Sequence, residues 1–262
     1  MPTYDAILPA GGKIDPEFAK LVGTEYKALI EIGGKTLLGR ALDALAATGA
    51  AKHTVVIGPA EVIEHADAKR ATFRLPPGQT GPDNIYRGLD HLLREPDASK
   101  KMLIVTTDLP FLEAGAITAF LEKCPADRDI CVPLIREADF NKRFPGTTAT
   151  FVKLKDDSWT TGNIFLLNAE ALRRSKPHIE RVFENRKSKM GMARLLGPVF
   201  VYKWLRKKLT LNDLEAKILS MLHCSGAAIT DSDPALHYDI DALDDYEYST
   251  GLYKEREPER VS

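Results

Sequence analysis

Residues 101–110 read Lys-Met-Leu-Ile-Val-Thr-Thr-Asp-Leu-Pro, and this stretch decides the fold. Met102–Val105 is apolar at every position. A strand with one wet face alternates apolar and polar residues, whereas a strand covered on both faces does not. Met102–Val105 is therefore expected in the centre of a mainly parallel sheet with helices on both sides. Pro110 has no N–H to give and ends the strand. Asp108 then stands at the sheet's carboxyl edge, where open α/β sheets bind ligands.

The flanking sequence repeats the pattern. Ala6–Leu8 is a short apolar run ending in the turn Leu8-Pro9-Ala10-Gly11-Gly12-Lys13. Thr54–Ile57, Ile130–Leu134, Thr148–Val152, Gly162–Leu167 and Ala227–Thr230 read as further strands. Thr36–Thr48, Asn84–Leu93 and Glu113–Leu121 carry apolar residues at helical spacing. This alternation implies an α/β domain built of βαβ units. It breaks between Ala171 and Lys208, where twelve Lys or Arg stand with only Glu180 and Glu184 as acids. We expect one domain over 1–253, with 171–223 as a helical insertion or subdomain and 254–262 as a disordered tail. Thr210-Leu211-Asn212-Asp213 reads as a capping box opening the insertion's last helix.

Several function classes are excluded. The 262 residues carry 36 Lys+Arg against 37 Asp+Glu, a net charge of −1, which a duplex-coating protein would not have. Cys124, Cys131 and Cys224 are odd in number and form no CxxC pair, so neither a disulfide framework nor a zinc ribbon is expected. Such cysteine usage fits a reducing cytoplasm. The start MPTYDAILPAGG has neither a basic segment nor an apolar one, so it is not expected to be a signal peptide. No run of 18 apolar residues is available to span a membrane. Gly34-Lys35-Thr36 imitates a P-loop ending, but Leu29 stands where the first glycine is needed, and G-x-G-x-x-G is absent.

Four features can carry chemistry, each with a plainer reading beside it. The Gly11-Gly12 turn can bring backbone N–H groups to an anion, or simply reverse the chain. Lys27, ahead of Ala28-Leu29-Ile30, can reach those phosphates or be a surface lysine. Asp108 can hold Mg²⁺ or cap the next element. Asp239 and Asp241 fall on one side of an extended segment, with Asp244 and Asp245 charging the next helix, or the whole cluster is a solvated surface. The histidines fall in none of these motifs.

Taken together and in this order, the four features resemble the nucleotidyltransferase superfamily with the GT-A fold, in particular the MobA-like NTP transferases. These are similar to enzymes that make molybdopterin guanine dinucleotide, CDP-methylerythritol and sugar nucleotides. The resemblance is carried by Leu8-x-x-Gly11-Gly12, Lys27-x-Leu29-x-x-x-Gly33-Gly34-x-x-Leu37, Asp108-Leu109-Pro110, Gly162-Asn163-Ile164-Phe165 and Asp239-Ile240-Asp241-Ala242-Leu243-Asp244-Asp245. It covers roughly residues 4–250, with the basic stretch outside the common core. It implies a Rossmann-like nucleotide-diphospho-sugar transferase fold and Mg²⁺-dependent nucleotidyl transfer from an NTP to a small, phosphorylated acceptor, releasing pyrophosphate.

By the same resemblance, Leu8, Ala10, Gly11, Gly12, Lys13 and Lys27 hold the triphosphate, with Lys27 and Asp108 the catalytic pair. Gln79, Gly81 and Asn84 lie in the segment that reads the base. Asp108 and Asp241, with Asp239 as helper, hold Mg²⁺ or alternatively Mn²⁺. Lys153 and Asn163 face the acceptor. Lys187 and Lys189 are added on separate ground, the positive charge of the insertion, which could bind an anionic acceptor. Three departures stand out. Lys13 and a long loop over Ile14–Tyr26 replace the relatives' early Arg, Thr36 replaces a Pro, and Leu243 replaces the Pro of the last motif. A glycosyltransferase of the same fold and a nucleotide-sensing module without turnover are the competing readings. The insertion reads as a solvated face, as an anionic-acceptor site, or, through Val199–Lys208, as an interfacial membrane helix serving a lipid-linked acceptor.

Overall fold

The structure is a computed structural model and describes residues 3–185 and 188–256. Its strands are β1 (Tyr4–Pro9), β2 (Glu31–Ile32), β3 (Lys35–Thr36), β4 (Ala51–Ile57), β5 (Phe73–Leu75), β6 (Lys101–Val105), β7 (Ile130–Arg136), β8 (Val152–Lys153), β9 (Ser158–Thr161), β10 (Ile164–Asn168) and β11 (Gly226–Ile229). Its helices are α1 (Pro16–Val22), α2 (Leu37–Thr48), α3 (Ala60–Ile63), α4 (Gly81–Leu92), α5 (Ala114–Lys123), α6 (Glu137–Arg143), α7 (Ala169–Arg174), α8 (Lys176–Asn185), α9 (Lys189–Leu196), α10 (Pro198–Leu205), α11 (Leu211–Leu222) and α12 (Leu243–Arg256).

Among the described residues the main sheet has nine strands, in the order β5-β4-β1-β6-β10-β7-β9-β8, with β11 also paired to β7. β5, β4, β1 and β6 run parallel, β10 is antiparallel to both β6 and β7, and β11 is parallel to β7. The apolar strand β6 is interior, as its sequence requires. Leu103 and Val105 join Ala6 and Leu8 against α2 and α5 on one face, while Met102 and Ile104 join Ile7 against α4 and α7 on the other. Because β1 and β6 are neighbours, the turn after Pro9 and the segment after Val105 leave the sheet side by side. The Thr107 hydroxyl fastens them by donating to the Pro9 carbonyl at 3.0 Å.

β9 and β10 lie along β7 as one antiparallel path, interrupted at Gly162-Asn163. A side chain at Gly162 would place its Cβ 2.7 Å from Pro133 Cγ and 2.9 Å from the Leu236 carbonyl, so only glycine lets these segments meet. Thr148–Val152 is not a strand. Only Val152–Lys153 pairs, against β9, because Thr148, Ala149 and Thr150 face a cleft instead of a neighbouring strand. The insertion after β10 is helical, and α11 opens with the Thr210/Asp213 capping box. α12 runs on to Arg256, past the 253/254 boundary drawn from sequence, and residues 257–262 lie outside the described residues. Among the described residues, no helix is long and apolar enough to cross a membrane.

Candidate active site

The loop leaving β1 starts with Ala10, whose N–H donates to the Ile57 carbonyl at 2.7 Å, and its return is set by Lys27 N–H donating to Gly12 at 2.9 Å. Among the described residues, no acceptor takes the N–H of Gly11 or Gly12. Two backbone donors are thus left at a strand exit, which suits an anion. The long Ile14–Tyr26 loop is not slack. It folds into α1, capped by the Asp15 carboxylate and closed by Gly23 in the left-handed region.

Lys27 begins a one-turn helix beside this loop, and Gly12 passes so close that a Cβ there would lie 3.4 Å from Lys27 Cδ. The ammonium pairs with Asp108 Oδ2 at 3.5 Å and with Asp241 Oδ1, its side chain only 15% exposed. Burial acts against the Lys27 charge, but the carboxylates of Asp108, Asp241 and Asp239 outweigh it and raise its pKa. Lys27 is therefore a cation held between loop and carboxylates, not a surface lysine.

The segment 238–241 reaches Asp108 through a backbone bond, Ile240 N–H to the Asp108 carbonyl at 3.1 Å. Tyr238 is buried among Phe111, Phe140 and Phe144, and Ile240 among Phe18, Ile30 and Leu37. Alternation then turns Asp239 and Asp241 the other way. One carboxylate oxygen from each of Asp108, Asp239 and Asp241 lies within 4.8 Å of the others. Burial, followed by the nearby charges of Asp108 and Asp241, pushes Asp239 up to about 7 despite Lys27. Asp108 Oδ1 is buried without a hydrogen-bond partner among the described residues. Three hard oxygen donors, one of them orphaned, fit a small divalent cation. Asp245 has a different task, accepting the N–H groups of Asp241 and Ala242 at 3.0 and 2.9 Å at the start of α12.

There are clefts at the glycine loop and at the acidic cluster. One of 430 Å³ holds Gly11, Gly12, Lys13, Gln79, Gly81 and Asn84. Asn84 shapes it by accepting the Gly78 N–H at 2.6 Å, and Asp83 accepts that of Gln79 at 2.9 Å. Leu8 and Ala10 are buried and support the loop from behind, and the Lys13 ammonium is held by Glu25 at 2.8 Å. The other cleft, of 690 Å³, holds Asp239, Asp241, Asn163 and His237. Asn163 is a bracket as much as a wall. Its N–H donates to Leu236 at 2.6 Å and its amide to the His237 carbonyl at 2.9 Å, fixing the segment that carries both aspartates. Lys153 is exposed on β8 and does not line this cleft. Lys187 lies outside the described residues, and for Lys189 only the backbone, at the start of α9, is described.

Sequence reasoning missed Thr107, His237 and Tyr253. His237 donates through Nδ1–H to the Thr161 carbonyl at 2.7 Å, and burial pushes its pKa down. His237 and Tyr253 sit in no motif, whereas the place of Thr107 at the strand end, directly before Asp108, could have marked it.

Known proteins resemble this chain in sequence and in fold. The family model described as MobA-like NTP transferase domain matches residues 7–206. A hypothetical transferase from Thermus thermophilus is similar at 28% identity, covering 93% of this chain and 99% of that one with a TM-score of 0.82. The 4-diphosphocytidyl-2C-methyl-D-erythritol synthase of Anaerococcus prevotii shares the fold at 11% identity, covering 97% of this chain and 96% of its own, with a TM-score of 0.58. A nucleotidyl transferase from Methanothermobacter does so at 15% identity, covering 97% and 99%, also with a TM-score of 0.58. Among curated proteins none matches the sequence.

Proposed function

The chain belongs to the MobA-like NTP transferase family, and from that premise we propose that it is a divalent-metal-dependent nucleotidyltransferase working in the cytoplasm. The observation that carries the reading is the position of Lys27, paired with Asp108 and Asp241 beside the unpaired N–H groups of Gly11 and Gly12. Phosphoryl-type transfer needs positioning and charge neutralisation more than covalent help. In this reading an acceptor oxygen attacks the α-phosphorus of an NTP. The new O–P bond forms as the bond to the β-phosphate's bridging oxygen breaks, and pyrophosphate leaves with that electron pair.

Each part of the chain has a task in that step. The loop N–H groups and Lys27 bind the triphosphate, and the cleft of Gln79, Gly81 and Asn84 orients the base. The cleft of Asn163, Asp239 and Asp241 receives the acceptor, and Lys153, Lys187 and Lys189 supply positive charge for an anionic group. Asp108, Asp239 and Asp241 would hold Mg²⁺ or Mn²⁺, which when bound neutralises charge developing on phosphate oxygens. An ionised phosphate acceptor is already nucleophilic and needs no general base. The test is thermal stabilisation by each NTP with and without Mg²⁺, followed by pyrophosphate release over an acceptor panel. Stabilisation by one NTP plus Mg²⁺ with pyrophosphate release supports the reading. Binding without release makes the protein a sensor, and larger shifts with sugar nucleotides make it a glycosyltransferase.

A further inference from the structure

The insertion does not pack flush on the sheet. Between them lies a 610 Å³ cavity walled almost entirely by carbon, with Val132, Phe165 and Leu167 below and Ile179, Phe200 and Ile218 above. Of its charged wall residues, Glu215 already accepts the Ala228 N–H at 2.9 Å. An apolar void of about 150 Å³ is enough to stay dry and take up benzene. This space is several times larger, opens to the surface and offers water few partners, so a hydrocarbon chain can enter and fill it.

Two further observations say which hydrocarbon. Leu134, Thr161 and Leu214 wall both this cavity and the acceptor cleft that holds Asp239 and Asp241. A molecule filling the pair has a polar head and an apolar chain. The second observation is α10, the helix whose Phe200 lines the cavity. The helix exposes Val199 (69%), Tyr202 (56%), Trp204 (51%) and Leu205 (66%), and Arg206, Lys207 and Lys208 follow it, all exposed. Amphipathic aromatics beside cations form an interfacial helix for anionic lipid. A second copy meeting this face on a two-fold axis would set like charges together.

We propose that the acceptor is an amphiphile presented at an anionic membrane surface. α10 rests on the bilayer, the chain of the acceptor enters the apolar cavity, and its head lies beside Asp239 and Asp241. The inference rests on the nucleotidyltransferase reading for the fate of the head group, but its test uses no turnover.

Calorimetry with butyl, hexyl and octyl phosphate, each monomeric in solution, reads the cavity. Each buried methylene should tighten binding roughly fourfold, so octyl phosphate should bind on the order of 200-fold more tightly than butyl phosphate. Val132→Trp, which fills the cavity from the sheet side, should remove that gain, and Ile218→Phe serves the same purpose from above if the first variant does not fold. Flotation with phosphatidylcholine vesicles, with and without phosphatidylglycerol, reads α10. The protein should float with the anionic vesicles only, and the pair Trp204→Ser and Leu205→Ser should stop it. Equal affinities along the series, a gain that survives in a folded filled variant, or indifference to anionic vesicles would each overturn the proposal. A chain-length gain without pyrophosphate release from any NTP would sink the nucleotidyltransferase reading and leave the lipid site standing. Release with a short polar acceptor and a flat series would do the reverse.

Discussion

Asp108, Asp239 and Asp241 crowd three carboxylates around one cation, Lys27, and the consequences can be separated by substitution. Asp108→Asn and Asp241→Asn should each abolish Mg²⁺-dependent pyrophosphate release while circular dichroism stays native, since Asn keeps the shape and removes a ligand charge. Full Mg²⁺-dependent turnover in both would exclude the metal assignment. Lys27→Ala should weaken NTP binding by about 1.5–3 kcal/mol, the scale of a lost hydrogen bond to a charged group. It should also lower the melting temperature in chelator, because Asp108 and Asp239 lose their cation, and Mg²⁺ should restore it. Asp239→Asn should act oppositely without metal. It relieves a desolvated carboxyl among like charges, so melting should rise by roughly 2–4 °C for each kcal/mol recovered. A lower melting temperature for this variant in chelator would show that the carboxylate is stabilising.

At the scale of elements, the site depends on how closely backbones approach. Gly162 marks where β9 passes into β10, with no room for a Cβ against Pro133 and Leu236. Gly162→Ala should cost about 1–3 kcal/mol by overpacking, and it should raise the acceptor KM more than it changes NTP affinity, because residues 236–241 would move. Urea denaturation beside kinetics with each substrate checks both parts. Thr36, which departs from the relatives' Pro, caps α2 by accepting the Gly39 N–H at 2.9 Å and donates to Asp67 at 2.7 Å. Thr36→Ala should therefore cost about 1 kcal/mol in stability and leave nucleotide affinity unchanged. A large loss of affinity would mean that Thr36 touches the ligand.

Over the whole molecule, α12 closes the site from behind. The Tyr253 hydroxyl donates to the Pro110 carbonyl at 2.7 Å and accepts from Arg40 at 2.8 Å, and its ring stacks on Phe111 at 5.7 Å. One aromatic residue near the chain's end thus braces α2 and the turn that carries Asp108. Tyr253→Ala should destabilise the fold by about 2–4 kcal/mol, less than full truncation of a wholly buried aromatic, and should weaken Mg²⁺-dependent stabilisation by NTP. Retained metal response in the folded variant would confine Tyr253 to stability.

The sequence determined the parallel centre of the sheet, because a strand as apolar as Met102–Val105 has no wet side to offer. It also determined the strand-end position of Asp108 and the shared side of Asp239 and Asp241, both of which follow from local rules of strand termination and alternation. Thr148–Val152 misled because its β-branched residues serve a cleft wall as readily as a ladder. Only the tertiary structure decided that Lys27 faces carboxylates contributed 81 and 214 positions further along. Only the tertiary structure showed that the Asn163 amide braces the segment leading to Asp239, and that a basic insertion encloses an apolar cavity. The reason is physical. Periodicity reports which side of an element is buried, whereas the partner across a cleft is set by long-range packing that no local window contains.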